Sequence, residues 1–376
     1  MMGISEALQS SRLIVMAGSG GVGKTTVAAS AALEAARAGR RVAVLTIDPA
    51  RRLAQALGFD SFSGDLTRVD IGADGAGELW ALMLDIKTTG DAMVHRFAST
   101  PEVAAAILAN PYYGYFSTSL AGSQEYMAVE QVRALIEDQN FDLVVLDTPP
   151  AQNALDFFDA PERLIDGLRS IPMRAIGATK SEGITGRLAS RGRGLILRGL
   201  NRLTGGPFLE ELAEFLGLFH TTLDALTVSS GRVQRLLRDS KTRFFLVTTP
   251  TAGRIDEAIA FRSELRRRGF PMGGFVLNRV HHLIDTPSSE RAREAIVNDD
   301  TGQLEGADQS LRVDLVDGLE RVVAQHNVLA RRDAQVATRL EEVTERVPLQ
   351  VPRFPMGVHD LDGLGAVGRS LIGEGT

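Results

Sequence analysis

Nine consecutive residues near the start of this chain, Gly18-Ser19-Gly20-Gly21-Val22-Gly23-Lys24-Thr25-Thr26, contain the spacing G-x-x-x-x-G-K-[ST]. Glycines at this spacing let successive backbone N–H groups curl around phosphate oxygens. Lys24 can then reach the outer phosphates, and Thr25 can offer its hydroxyl to Mg²⁺. Two carboxylates stand where they could serve the same ligand. Asp48, in Ile47-Asp48-Pro49-Ala50-Arg51, can orient or deprotonate an attacking water or sit in the outer shell of the metal. An Asp before Pro is equally a good helix N-cap. Asp147, in Asp147-Thr148-Pro149-Pro150, closes an apolar run in the Walker B manner, where the carboxylate fixes the metal's water shell; the plainer role is again a cap.

These groups need elements to hold them. Arg12 to Ala17 is a short continuous apolar run, the pattern of a strand buried on both faces, and it leads straight into the glycine loop. The alanine-rich stretch from Val27 to Ala38, closed by Gly39, predicts a helix whose positive N-terminal end points at the same phosphates. Further strands are expected at Arg41 to Ile47, Phe141 to Leu146, Arg243 to Thr248 and Gly274 to Leu277, with a helix at Ile255 to Arg268 ending at Gly269. Strand, helix, strand in alternation predicts an α/β protein with a doubly wound, mostly parallel sheet. In such sheets ligands bind at the C-terminal ends of the strands, which is where Asp48 and Asp147 fall.

Composition narrows the function classes. The chain has 376 residues, 44% apolar and 23% charged, with a formal charge of −6, which predicts an ordinary globular protein of about two or three folded units. No apolar run is long enough to span a bilayer, and Met1 to Arg12 does not have the pattern of a signal peptide, so a cytoplasmic protein is expected, with peripheral membrane contact left open. The absence of Cys excludes disulfides, thiolate metal sites, iron–sulfur clusters and cysteine nucleophiles from this chain. The acidic balance argues against nucleic acid as a partner.

The motifs converge on a family. G-S-G-G-V-G-K-T-T, T-I-D-P-A-R-R-L-A-Q-A-L-G, F-D-L-V-V-L-D-T-P-P-A-Q-N-A-L-D-F-F-D-A-P, V-L-N-R and a closing V-P-R-F-P-M resemble, in order, the motifs of the ArsA/GET family of dimeric ATPases. Its members energise arsenite efflux or carry tail-anchored membrane proteins. The resemblance implies a P-loop NTPase fold with an inserted α-helical subdomain, and ATP with Mg²⁺ as cofactors. It implies that Gly20, Gly21, Val22, Gly23, Lys24, Thr25 and Thr26 hold the phosphates, that Lys24 and Asp48 are catalytic with Asp48 positioning the hydrolytic water, and that Thr25 and Asp147 serve the metal. Asn278 resembles the adenine-reading Asn, whose amide offers both donor and acceptor. Pro355 matches the proline that packs on the base. The implied partner is a second ATPase subunit, identical or related.

Three departures qualify the resemblance. Where the family carries an additional P-loop lysine that contacts the partner's phosphates, this chain has Ser19, and a hydroxyl cannot supply that positive charge. In the second switch Gln152 and Asn153 replace a Gly and a His. Without Cys, arsenite capture by thiolates and zinc-clamped dimerisation are both excluded.

The connections from the second strand to Phe141, and from the second switch to Arg243, are far longer than a doubly wound sheet uses. Helical spacing at Ala92 to Ala109, Glu125 to Asp138, Pro161 to Arg169 and Leu209 to Leu237 predicts that residues 87–138 and 161–239 form the helical insert. The nucleotide domain is then 1–86, 139–160 and 240–376. The loop Asn110 to Phe116 carries four aromatics. The apolar stripe of Phe208 to Leu226 is either core or a groove for a partner helix. From Arg163 to Arg202 nine Lys and Arg face two acidic residues, a solvated face or a site for an acidic partner or anionic membrane. His281 and His282 are expected in a loop beside the nucleotide, and Asp308 to Leu340 as two amphipathic helices.

The function expected is a Mg·ATP-hydrolysing dimeric switch that binds or releases a hydrophobic protein client or membrane partner through the insert. An ATP-binding scaffold with little turnover of its own is the alternative. A MinD/ParA-like positioning ATPase ranks last, because the ending V-G-R-S-L-I-G-E-G-T is too short and Gly-rich for a membrane helix.

Overall fold

Strands buried on both faces dictate this architecture, because each must be covered twice. The structure, a computed structural model, describes residues 3–47, 52–59, 64–72, 76–114, 123–137, 139–149, 166, 215, 217–218, 222–284, 294, 296–298, 309–354 and 357–373. Eight strands form one sheet: β1 (Leu13–Ala17), β2 (Arg41–Thr46), β3 (Thr67–Val69), β4 (Glu78–Met83), β5 (Leu143–Asp147), β6 (Thr242–Thr248), β7 (Met272–Val280) and β8 (Leu349–Pro352). Their order is β3-β4-β2-β5-β1-β6-β7-β8, with β3 antiparallel at one edge and every other pairing parallel. Both β1 and β5 are buried at every position, which is why they appear in the sequence as unbroken apolar runs.

Ten helices accompany the sheet among the described residues: α1 (Ile4–Ser10), α2 (Lys24–Arg37), α3 (Arg52–Ala56), α4 (Ile86–Phe97), α5 (Pro101–Ala109), α6 (Ser123–Glu137), α7 (Leu223–Arg238), α8 (Ala252–Arg267), α9 (Gln309–Thr344) and α10 (Leu361–Ile372). Alternate side chains of β1 supply two cores. Ile14 and Met16 pack with α1, α2, α3 and α10, whereas Leu13, Val15 and Ala17 pack with α6, α7, α8 and the C-terminal part of α9. The sheet is therefore doubly wound, as expected. A third apolar cluster lies apart from the sheet: Met93 and Val94 of α4, Ala104 and Ile107 of α5, Tyr126 and Met127 of α6, Leu226 of α7, with Tyr113 and Phe215. Phe215 and Leu226 put the described part of the 208–226 stripe in a core rather than on a groove.

Several elements differ from the sequence expectation. Ala92 to Ala109 is two helices, because Thr100 caps the second through its hydroxyl on the Val103 N–H and Pro101 takes its first turn. Residues 111–114, expected in a loop, are helical, and Tyr113 is buried. Conversely, α9 is one helix where two were expected. It holds no proline, and Val316, Val323, Ala330, Ala337 and Thr344 keep a buried or half-buried stripe every seven residues. The Gly-rich C-terminus forms α10, whose Gly365 and Gly368 allow close approach to Arg37 and Glu34 of α2; its apolar face is already occupied by core. The predicted helix at Pro161 to Arg169 and the basic 163–202 segment lie, but for Asp166, outside the described residues. No described helix is long and apolar enough to cross a membrane.

One buried ionic cluster joins the helices that precede the two neighbours of β1. Arg133 of α6 donates through Nε and Nη2 to Glu130 Oε1 at 2.9 and 2.7 Å, and the Ser229 hydroxyl of α7 donates to Glu130 Oε2 at 2.6 Å. Burial next to Glu130 also pushes the Tyr126 phenol above its usual range. Removing one partner of a buried pair leaves a charge without compensation. Arg133→Ala is therefore expected to lower stability by about 3 kcal/mol, read as a reduced urea midpoint. Pairing Arg133→Met with Glu130→Leu should recover most of that loss.

Candidate nucleotide site

The glycine loop is held by close approach at its glycines and by side-chain donors on its carbonyls. Gly18 has φ 153°, and a Cβ there would lie 2.1 Å from the Val247 carbonyl oxygen at the end of β6. Gly23 has φ 92°, and a Cβ there would lie 2.3 Å from Asn278 Nδ2. Only glycine fits either position. As N-cap of α2, Gly23 provides no side-chain acceptor, so the first-turn N–H groups of the helix remain directed into the loop. Lys24 opens that helix and is buried, its Nζ donating to the carbonyls of Gly18 at 3.0 Å and Ser19 at 3.1 Å.

Asp147 stands at the end of β5, fully buried. Its Oδ2 accepts the Thr25 hydroxyl at 2.6 Å and the Thr46 hydroxyl at 2.9 Å, so the starts and ends of three elements meet on one carboxylate. The next residue, Thr148, is fastened to β1 by its N–H and hydroxyl, both donating to the Met16 carbonyl at 3.2 and 3.0 Å. A cavity of about 390 Å³ opens over these groups. Its lining includes Gly20, Gly21, Gly23, Lys24, Thr25 and Thr26 of the loop, Gln55 and Ala56 of α3, Asp147 to Pro149, and Arg279, Val358 and His359.

The structure thus brings together the loop glycines, Lys24, Thr25, Thr26 and Asp147. Val22 serves differently: its side chain is buried in the core, and its carbonyl accepts Asn278 Nδ2 at 2.8 Å. Asp48, Gln152, Asn153 and Pro355 lie outside the described residues. Sequence reasoning did not single out Thr46, Gln55, Arg279, Val358 or His359. Thr46 ends an apolar strand and could have been suspected from its neighbour Asp48, and Arg279 follows Asn278 directly; the others carry no motif. His281 is not at the cavity. Its backbone N–H and ring Nδ1 both contact the buried Asp333 Oδ2 of α9, at 3.0 and 2.7 Å. No group of three or more metal-ligating side chains occurs among the described residues.

For a magnesium ion the donor chemistry is suitable: a hydroxyl and a carboxylate, both hard oxygen ligands, stand side by side at the mouth of a phosphate cradle. Ser19 has other company. Its hydroxyl donates to Glu257 Oε2 of α8 at 2.5 Å, and Arg254 Nη1 lies 3.5 Å from the same oxygen.

Known proteins resemble this chain in sequence. Residues 11–192 match the family described as anion-transporting ATPase. The chain is 25% identical to an ATPase ASNA1 homolog of Cryptosporidium parvum over 328 residues, 86% of this chain and 80% of that one. It is 27% identical to ATPase GET3 of Podospora anserina over 286 residues, 75% and 76% of the two chains. A putative ATPase of Mycobacterium bovis, Mb3704, is 22% identical over 385 residues, 100% of this chain and 96% of that one. Residues 11–192 carry the ATPase domain of the ArsA/GET family. The chain is an ATPase, and the cavity over Lys24 is where the glycine loop, the strand-end carboxylate and the helix N-terminus converge.

The packing at Gly23 gives a direct test. Gly23→Ala forces a methyl against Asn278 at a left-handed φ, which costs about 1–3 kcal/mol of strain. The expected outcome is a lower melting temperature without ligand and a smaller upward shift on adding ATP; no change in either would contradict the geometry.

Proposed function

We propose that this ArsA/GET ATPase is a Mg²⁺-dependent switch that closes as a dimer on ATP and reopens on hydrolysis. The reading rests on Lys24, Thr25 and Asp147 lining one cavity at the start of α2. The first-turn N–H groups and Lys24 would hold the phosphates. Thr25 would hold Mg²⁺ directly and Asp147 through its water shell. When bound, the ion neutralises charge on the phosphate oxygens. Asp48 follows β2, next to β5, and would orient the attacking water and receive its proton.

The connectivity supports a path from this site to the helical layer of 87–138 and 161–239. α6 leads into β5 and Asp147, α7 leads into β6 beside the loop, and the Glu130–Arg133–Ser229 cluster joins the two. A shift at Asp147 and Thr148 would then be felt where α4 to α7 meet. A hydrophobic client or membrane partner responds only if it binds the closed and open states with different affinity.

A second reading, an ATP-binding scaffold with slow turnover, is favoured by the Ser19 contact. The position at which the family carries a lysine here holds a hydroxyl bonded to a carboxylate. A related subunit could supply the missing charge in a heterodimer. Turnover of wild type, Lys24→Ala, Ser19→Lys, and Ser19→Lys combined with Glu257→Gln tests these readings. Slow, Mg²⁺-dependent wild-type turnover is expected, abolished by Lys24→Ala and raised about tenfold or more by the lysine, most clearly when Glu257 cannot capture it. Fast wild-type turnover with no gain rejects the lysine deficit; tight ATP binding with near-zero turnover in every variant selects the scaffold.

A further inference from the structure

α9 has 36 residues and is therefore about 54 Å long. Residues seven apart on such a helix are almost two full turns from each other and share a face. One face accordingly carries Leu315, Val322, Leu329 and Val336 in one row, and Leu319, Asp333 and Leu340 in the next. In the C-terminal half this face is covered by the protein itself. Val336 and Leu340 pack in the sheet core, and the fully buried Asp333 is held by His281 and Arg332. Towards the N-terminus the same face emerges from the body, and Leu315, Leu319 and Val322 are 43, 47 and 62% exposed. The stripe beside it, Val316 and Ala330, stays buried, so the helix is seated while its apolar seam is open.

Two features of this stretch indicate what covers it. Gly318 lies inside the helix, where glycine is the least favourable residue after proline. Nothing within the chain demands it, since a Cβ there would meet no atom within 4 Å. Such a glycine lets a second backbone come close. The other feature is charge. Asp314 and Arg321 are exposed, lie seven residues apart on one edge of the seam, and form no ion pair among the described residues; Arg321 Nε donates to the Asp317 carbonyl at 3.1 Å. Opposite charges at this spacing are too far apart to pair within one helix. In an antiparallel pair of identical helices, however, an edge faces its own copy, and Asp314 meets Arg321 of the second copy on both sides of a two-fold axis. That axis passes beside Gly318. It also sets Leu319 of the second copy between Leu315 and Leu319, and Leu315 of the second copy between Leu319 and Val322, as knobs into holes.

We propose that the N-terminal half of α9 is a dimerisation seam, in which two copies of this chain pair their α9 helices antiparallel across Gly318. The contact needs no nucleotide, so it goes beyond the switch proposed above and does not rest on it. Sedimentation equilibrium of the full chain, with and without Mg·ATP, would be run on wild type, Lys24→Ala, Leu319→Asp, Gly318→Leu, Asp314→Arg, Arg321→Asp and the Asp314→Arg/Arg321→Asp double variant, with circular dichroism to check folding. Wild type and Lys24→Ala are expected to be dimers without nucleotide, and Leu319→Asp a folded monomer. Gly318→Leu fills the space the second helix takes and should weaken the dimer about tenfold. Each single charge change places like charges across the axis and should weaken it by about tenfold. The double variant should regain wild-type affinity, because only antiparallel self-pairing sets residue 314 against residue 321. A wild type that is monomeric without nucleotide leaves the seam to another partner and overturns the proposal. So do dimers indifferent to Leu319→Asp, or a double variant no tighter than the single ones. Dimers that form only with Mg·ATP defeat this seam and leave the switch standing, whereas nucleotide-free dimers that bind no ATP do the reverse.

Discussion

The site depends on one buried carboxylate. Asp147 accepts hydroxyls from Thr25, the second residue of α2, and from Thr46, the last of β2. Each of those residues is fixed by its own element, so the carboxylate couples three positions that sequence separates widely. Buried in the sheet, such a group is tolerable only while hydrogen-bonded. This requirement makes the register of β5 against β1 and β2 a condition for the phosphate loop to form where it does. The pairings Met16 with Asp147 and Thr46 with Asp147 are the same constraint expressed in backbone terms.

Around that anchor the two halves of the loop are set by close packing. Gly18 rests against the end of β6 and Gly23 against Asn278 of β7, so the loop is wedged by strands on the side away from Asp147. A nucleotide bound at the loop would therefore act on Asp147 through Thr25 and on the β7 end through Gly23 and Val22. Each of the strands flanking β1 is entered from a helix, β5 from α6 and β6 from α7, and the Ser229 hydroxyl of α7 joins them by donating to Glu130 of α6, itself paired with Arg133 of α6. Such polar clusters are strongly geometry-dependent. They resist small independent movements of α6 and α7 and so favour movement of the pair as a unit.

What was legible in the sequence follows from which forces act locally. The five central strands stood out because burial on both faces demands continuous apolar residues, and the loop stood out because phosphate binding demands glycine and lysine at fixed spacing. The helix break before Pro101 depends on a cap and a proline inside an apolar run, and reading the run alone concealed it. β3 and β4 were missed for a different reason: β3 has three residues, and Glu-Leu-Trp-Ala-Leu-Met of β4 has an ambiguous period, made a strand by its pairing with β2. α9 was expected as two helices, although its seven-residue stripe runs through without a proline. At the cavity, Lys24, Thr25 and Asp147 were evident, whereas Thr46 and Arg279 were not, since their places come from register: Thr46 from lying beside Asp147, Arg279 from the shift between β7 and β8.

Ser19 shows how the same fold can be retuned by one contact. In place of an ammonium group the loop presents a hydroxyl already donating to Glu257, and Arg254 is engaged with that same carboxylate. Two unit charges separated by about 4 Å near a protein surface interact by roughly 4 kcal/mol, and by about half that at twice the distance. Losing a cation next to a transferring phosphoryl group, and gaining an anion in its neighbourhood, therefore acts twice in the same direction. Glu257 is about half exposed, and solvent screens its share, so the loss of the cation dominates. Preorganised donors at a transition state are worth about 3–4 kcal/mol each, enough to turn a fast ATPase into one that holds its nucleotide. Binding would be spared on the proposed nucleotide reading, because the first-turn amides of α2, Lys24 and the loop backbone are unaffected by Ser19. On that reading the Ser19 contact would favour occupancy over turnover, and any conformational output would be timed by how long ATP stays bound or by a second subunit that supplies the missing charge.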